Sequence, residues 1–97
     1  MKVSNMTSSN GNPVPNQFLI RDASIDQHLY RGDMFQSYKT CIAFKGYGSI
    51  EGQLYLDRKT WDYSKTTSKY RNQFTGLTTA KTKAGIADGS IILADLN

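Results

Sequence analysis

The stretch MFQSYKTCIAFKGYGSIEGQLYLD, residues 34–57, contains two runs in which apolar side chains recur at every second position. This period predicts extended strands with one buried face. The first run, MFQSYKTCIAFK, is predicted to form one strand whose inner face carries Met34, Tyr38, Ile42 and Phe44. GYG at 46–48 separates the runs and supplies turn chemistry, because glycine adopts positive φ without steric cost. The stretch therefore predicts a β-hairpin, with SIEGQLYLD as its second strand.

A helix is predicted downstream of Asp57, where the period of the apolar side chains lengthens to about 3.6 residues. Its inner stripe consists of Tyr63, Thr67, Tyr70 and Phe74. The opposite face carries Lys65, Ser68, Lys69 and Asn72, with Arg71 on the flank. Asp62 or Ser64 is the candidate N-cap, and Gly76 is the candidate C-terminal stop.

The two ends of the chain complete the predicted architecture. Residues 1–15, rich in Ser, Asn, Gly and Pro, are predicted to be a flexible tail that leads into a first strand, NQFLIRD. A second short helix is predicted from Thr78 or Thr79 to Gly89, followed by SIILADLN as a short strand or extended segment. We therefore expect an α+β fold over residues 16–97, with a small antiparallel sheet of three to four strands packed on one or two short helices.

Length and composition limit the class of protein. A chain of 97 residues fits one domain. It has no apolar run of the roughly 18 residues that a membrane span requires, and its first residues lack the apolar core of a signal peptide. The single cysteine, Cys41, excludes an internal disulfide. These features predict a cytoplasmic protein.

Residues that would carry catalysis or bind a metal are scarce. His28 is the only histidine, and no nucleophile or acid accompanies it at a spacing typical of an enzyme family. Cys41 sits in the apolar run TCIAF, where a buried and inert thiol is expected. One cysteine and one histidine do not complete a structural zinc site, and no phosphate-binding loop is present. We therefore expect a protein that is not an enzyme, without catalytic residues, metal ligands or cofactors.

Positive charge is concentrated between Arg58 and Lys83, where seven basic residues accompany one acid, Asp62. The rest of the chain holds five basic and seven acidic residues. This asymmetry favours an anionic partner, either a nucleic acid or an acidic protein surface. Lysine and arginine neutralise phosphates, and amides donate hydrogen bonds to them. The candidate binding residues are Arg58, Lys59, Lys65, Lys69, Arg71 and Asn72.

The aromatic side chains around this basic region have two interpretations. If Trp61 or Tyr55 is exposed, its ring would stack on unpaired bases of a nucleic acid. The helical spacing of Tyr63, Tyr70 and Phe74 instead places rings against the sheet, where they stabilise the fold. The spacing favours the second interpretation, which leaves the charges of the outer helix face as the surface feature.

Several of these motifs occur together in one group of proteins. The sequence combines NPVPNQFLI, FQSY at 35–38, a Leu-Asp strand end, the aromatic helix WDYSKTTSKYRNQF and a terminal Asp-Leu-Asn at 95–97. In these motifs, and over nearly the whole chain after residue 12, it resembles small uncharacterised proteins of bacteriophages and related mobile elements of Gram-positive bacteria. The resemblance implies no particular activity. It does imply a protein that acts stoichiometrically in the cytoplasm of a host cell, as small non-catalytic proteins of such genomes often do.

Two functions from different classes are compatible with these features. The resemblance favours a stoichiometric inhibitor or modulator that binds a host protein or protein–nucleic acid complex, of the anti-CRISPR or anti-restriction type. The basic helix face favours the alternative, a protein that binds DNA or RNA directly. A structural role in the phage particle also stays open.

Overall fold

The computed structural model describes residues 1–25 and 30–97. In these residues the elements follow in the order β1 Lys2–Thr7, β2 Pro13–Ile25, β3 Tyr30–Ser37, β4 Thr40–Gly46, a 3-10 turn Gly48–Ile50, β5 Leu54–Asp57, α1 Lys65–Thr75, α2 Thr79–Asp88 and β6 Ile91–Ala94. The strands form one sheet in chain order, from β1 to β6. His28, the histidine considered above as a catalytic candidate, lies outside the described residues.

The fold belongs to the predicted α+β class, but its sheet has six described strands rather than three to four. Neighbouring strands are antiparallel except β5 and β6, which are parallel. The two helices form the connection between β5 and β6, because parallel neighbours need a long crossover. The sheet is therefore mixed, whereas the sequence predicted a purely antiparallel sheet.

The N-terminal segment forms a strand where the sequence predicted a flexible tail over residues 1–15. β1 pairs antiparallel with β2, and the N–H of Ser8 donates to the carbonyl of Asn12 in the turn between them. Met6 is the one buried side chain of β1. Because the other side chains of β1 are exposed, the segment is polar enough to resemble a tail. β2 begins at Pro13, ahead of the predicted domain start at residue 16.

The run MFQSYKTCIAFK, predicted to be one strand, is a hairpin formed by β3 and β4. Ser37 pairs with Thr40, so that Tyr38 and Lys39 form a two-residue turn. Tyr38 has a φ of 56°, as the turns of tight hairpins require. Its side chain is consequently 60% exposed instead of lying on the predicted inner face.

A bulge in β4 changes which face its side chains occupy. Phe35 pairs with Ala43 and Gln36 with Cys41, which leaves Ile42 without an opposite residue. Ile42 therefore packs with Phe35, whereas Phe44 packs on the other face of the sheet. The predicted hairpin around GYG is confirmed, because β4 and β5 pair antiparallel. Its second strand is shorter than the predicted SIEGQLYLD, since Gly48–Ile50 form a 3-10 turn and β5 begins only at Leu54.

Both helices are capped at the predicted positions. The Ser64 side chain accepts a hydrogen bond from the Thr67 N–H at the start of α1, and Gly76 ends this helix with a φ of 77°. The Thr78 side chain caps α2, and Gly89 ends it with a φ of 85°. Within the described part of the chain, neither helix is long and apolar enough to cross a membrane.

Helix α1 packs across β2, β3 and β4, and its inner side chains form much of the core. The ring of Phe74 lies 6.1 Å from the ring of Phe35, and Tyr70 is buried as predicted. The buried hydroxyls of Thr67 and Ser37 are hydrogen-bonded at 3.2 Å. Tyr63 departs from the predicted stripe, because it precedes the N-cap of α1 and is 50% exposed.

Asp57, at the end of β5, fixes the C-terminal segment to the sheet. Its carboxylate accepts hydrogen bonds from Thr60 Oγ1 at 2.6 Å and from the Leu96 N–H at 3.0 Å. Burial alone raises the pKa of Asp57, but these hydrogen bonds, with others from Asn97 and the Lys59 backbone, outweigh it and hold the pKa below its ordinary value. The carboxylate therefore stabilises the fold in its charged form.

Candidate functional site

A surface groove with a volume of about 520 Å³ lies where the two helices begin. Its lining combines two lysines with hydroxyl, amide, phenol and carboxylate groups: Asp62, Tyr63, Ser64, Lys65, Ser68, Lys69, Asn72 and Thr79. Lys65 and Lys69 are one turn apart on α1, so they lie on the same face of the helix. We call this surface the α1 groove.

Three of the six predicted binding residues, Lys65, Lys69 and Asn72, meet in the α1 groove. Both lysines are exposed, and within the described residues neither takes part in an ion pair. Lys69 Nζ lies 5.4 Å from the centroid of the Tyr70 ring. The one acid of the groove, Asp62, pairs instead with Arg71 at 3.6 Å and accepts from Ser68 Oγ. The ammonium groups are therefore available to an external anion.

Helix ends add positive potential to the α1 groove. Lys65 is the first residue of α1, and Thr79 is the first residue of α2. The N-terminus of an α-helix carries a partial positive charge, since its first N–H groups have no acceptor within the helix. A lysine at this position costs stability of about 0.3–1 kcal/mol. Lys65 is thus placed unfavourably for folding and favourably for binding an anion.

Arg71 was predicted to be an exposed binding residue, but its side chain is fully buried, with 0% exposure. Its guanidinium lies 5.3 Å from the Trp61 ring and donates to the Trp61 carbonyl at 2.5 Å. Burial lowers the pKa of Arg71, and the Asp62 carboxylate partly opposes this shift. An arginine stays charged in proteins under such conditions. Arg71 is therefore a structural cation beneath the groove and is not exposed to bind a ligand.

The buried guanidinium orients the polar side chains above it. Arg71 Nη2 donates to Asn72 Oδ1 at 2.9 Å and to Thr79 Oγ1 at 3.1 Å. Asn72 Nδ2 also donates to Thr79 Oγ1, at 3.1 Å. Because the Thr79 oxygen accepts twice, its own hydroxyl hydrogen is left to donate elsewhere, as is the second amide hydrogen of Asn72. The network thus presents hydrogen-bond donors, which suit an anion.

Tyr63 lines the groove, although its spacing in the sequence predicts a core position. Its ring makes no hydrogen bond or ring contact among the described residues. The rings considered for stacking are both engaged, Tyr55 with Tyr30 at 6.4 Å and Trp61 with Arg71. The exposure of Tyr63 could have been predicted from its position directly before the N-cap Ser64, because a residue before the N-cap lies outside the helix and its apolar stripe.

The remaining two predicted residues lie elsewhere. Arg58 Nε is 3.6 Å from Asp95, and Arg58 Nη2 donates to the Leu93 carbonyl at 3.3 Å, so this side chain is tied to the strand β6. Lys59 lines a different cleft, together with Lys39. Neither residue contributes to the α1 groove.

Among the residues that the structure describes, no cysteine lines the α1 groove. Cys41 is half-buried, and burial, with the nearby Asp57 charge, raises the pKa of its thiol. Across residues 1–25 and 30–97, no three His, Cys, Asp or Glu side chains come together in a way that would hold a metal ion. The groove therefore combines two ammonium groups, a set of hydrogen-bond donors, one exposed aromatic ring and the carboxylate of Asp62, which is paired with Arg71.

Comparison with other proteins gives a family. No curated protein matches the chain, and no solved structure matches it. A family model described as a family of unknown function (DUF8033) matches residues 1–90. Since this match covers nearly all of the 97 residues, the chain belongs to that family of unknown function.

Proposed function

We propose that the protein is a non-enzymatic binding protein that engages a nucleic acid through the α1 groove, in the cytoplasm of a host cell. One observation carries the proposal: Lys65 and Lys69 are exposed, form no ion pair with any described residue, and line the same groove as the exposed ring of Tyr63. A phosphodiester backbone is the polyanion that this combination fits best, because its phosphates attract lysines and its bases attract aromatic rings.

The arrangement of donors supports a phosphate ligand in particular. The donors of Asn72 and Thr79 are oriented by the buried Arg71 before any ligand arrives. Polar groups that are already in place lose little conformational entropy on binding. Helix N-termini are favourable positions for phosphates, and two of them begin at this groove.

The test is a titration of a fluorescein-labelled oligonucleotide, followed by anisotropy at about 50 and about 200 mM salt. The double variant Lys65→Glu with Lys69→Glu should bind far more weakly, and its slope of log K against log salt should fall by about 1.4–1.8, for two lost phosphate contacts. The matched control is Lys2→Glu with Lys83→Glu, which makes the same change of charge at exposed positions outside the groove. Equal binding by both double variants would refute the proposal.

A second candidate is a stoichiometric inhibitor of a host enzyme that targets nucleic acids, of the anti-CRISPR or anti-restriction type. The resemblance to phage proteins supports it, and the donor-rich lining of the α1 groove also fits carboxylates of an acidic protein surface. In that case the protein should block cleavage of DNA by the purified nuclease at an equimolar ratio. The lysine double variant should lose this inhibition, while labelled oligonucleotides alone show no binding to the parent protein.

A further inference from the structure

Tyr63 gives the α1 groove a feature that a patch of positive charge alone does not have. Half of its side chain is exposed, and among the described residues no other ring or cation lies against its ring and no group hydrogen-bonds to its hydroxyl. We infer that the groove takes a single-stranded nucleic acid, with one unpaired base stacked on Tyr63 and the adjoining phosphates held by Lys65 and Lys69. This inference rests on the proposed function and specifies its ligand.

The backbone that carries Tyr63 is held on both sides. Asp62 accepts from Ser68 Oγ at 3.2 Å and forms the ion pair with Arg71. Ser64 accepts from the Thr67 N–H at 3.1 Å and donates to Thr67 Oγ1 at 2.9 Å. A ring on a fixed segment loses little freedom when a base stacks on it. The exposed ring is therefore suited to act as a stacking platform.

The order of the groups along α1 suits a strand that follows the helix. Tyr63 stands just before the helix, and Lys65, Lys69 and Asn72 follow on one face. A single strand laid along this face would put a base at the ring and its phosphates over the lysines, with Asn72 and Thr79 donating farther along.

The charge pattern does not by itself distinguish a single strand from a duplex, but the ring does. In a duplex the bases are paired and stacked on one another, so a protein ring reaches no base face without unstacking the helix. In an unpaired strand every base has a free π-face, and stacking is tolerant of sequence.

The experiment compares oligonucleotides of about 15 nucleotides, single-stranded and as the matching duplex, against four proteins. These are the parent, Tyr63→Ala, Tyr63→Phe, and Tyr38→Ala as an equally simple change at another exposed tyrosine. We expect the single strand to bind more tightly than the duplex. Tyr63→Ala should weaken single-strand binding roughly 5- to 150-fold, the range for loss of one stacked base. Tyr63→Phe and Tyr38→Ala should bind like the parent.

A readout specific to stacking accompanies the affinities. Ring-current shifts should move the ring proton resonances of Tyr63 upfield when the single strand is added, and leave those of Tyr38 in place. If the duplex binds as well as the single strand and Tyr63→Ala has no effect, the inference is wrong, although loss of binding in the Lys65 and Lys69 double variant would still support the proposed function. If that double variant also binds normally, both fail.

Discussion

Arg71→Ala is expected to destabilise the protein strongly, although the residue belongs to the most basic part of the sequence. The substitution removes a fully buried side chain that contacts the Trp61 ring and connects three elements by hydrogen bonds. The Trp61 carbonyl loses its donor, and Asn72 and Thr79 lose the group that orients them. The segment before α1, the C-terminal half of α1 and the start of α2 are all affected.

The expected change in the free energy of unfolding is the balance between the contacts that Arg71→Ala removes and the cost of burying a charge that it also removes. Truncation of a long buried side chain to alanine costs about 2–5 kcal/mol through the cavity it leaves, and loss of the donor to the partly buried Trp61 carbonyl adds about 1 kcal/mol. Removing the guanidinium also removes the cost of burying its charge, and the partly exposed Asp62 returns to water. We therefore expect a net loss of about 3 kcal/mol in the free energy of unfolding, or a fall in Tm of about 12–24 °C for a domain of this size.

The assay is urea denaturation at pH 7 followed by circular dichroism, with Tm from a thermal melt of the same samples. The control is Lys69→Ala, which deletes an exposed cation two residues earlier on the same helix and should change stability by less than about 0.5 kcal/mol. If Arg71→Ala lowers the free energy of unfolding by less than about 1 kcal/mol, the guanidinium does not stabilise the fold through these hydrogen bonds. Arg71 would then again be a candidate binding residue.

Three further substitutions test the fold around the groove. Thr67→Val leaves the buried hydroxyl of Ser37 without its partner, so urea denaturation should show a loss of about 1–2 kcal/mol in the free energy of unfolding. Adding Ser37→Ala should recover part of this loss, whereas a further loss in the double variant would argue against the hydrogen bond. In Gly32→Ala the added Cβ would overlap the carbonyl oxygen of Lys45 and separate β3 from β4, so circular dichroism should show an unfolded protein. A variant that melts at the Tm of the parent would contradict this packing. Asp57→Asn should flatten the acid limb of the stability curve. The hydrogen bonds hold the pKa of Asp57 in the folded protein below its value in the unfolded chain. Its contribution to the free energy of unfolding is therefore present above about pH 4 and is lost as pH falls through the folded pKa. Stability curves of variant and parent that run parallel between about pH 6 and about pH 2 would exclude this contribution.

The features of the fold that could be predicted are those with a local cause. Ser64 and Thr78 accept hydrogen bonds from the first turns of their helices, and Gly76 and Gly89 end these helices, so the boundaries of α1 and α2 are evident in the sequence. The hairpin of β3 and β4 was missed because its turn contains tyrosine and lysine in place of the glycine or asparagine that usually mark positive φ. β1 was missed because a strand with one buried side chain lacks an alternating pattern.

The part of the candidate site that could be predicted from the sequence also has a local cause. The spacing of Lys65, Lys69 and Asn72 on one helix determines that they share a face, and this much is local. Whether Arg71 is exposed depends on Trp61 and on the first turn of α2, which reach it only after the chain has folded. A count of charges along the sequence treats Arg71 and Lys69 alike, whereas one is buried and the other faces solvent.

This difference has a consequence for how the α1 groove should respond to salt. The exposed charges of Lys65 and Lys69 are screened over about 8–10 Å at ordinary ionic strength, so their attraction for an anion weakens as salt is added. The charge of Arg71 lies beneath the surface, where screening is weaker, and it acts on the ligand through donors that it holds in place. Binding should therefore have a steep component that disappears in the lysine double variant and a shallower component that persists in it. Only the second component depends on the same guanidinium that stabilises the fold, so the two roles of positive charge in this protein are separable by salt as well as by substitution.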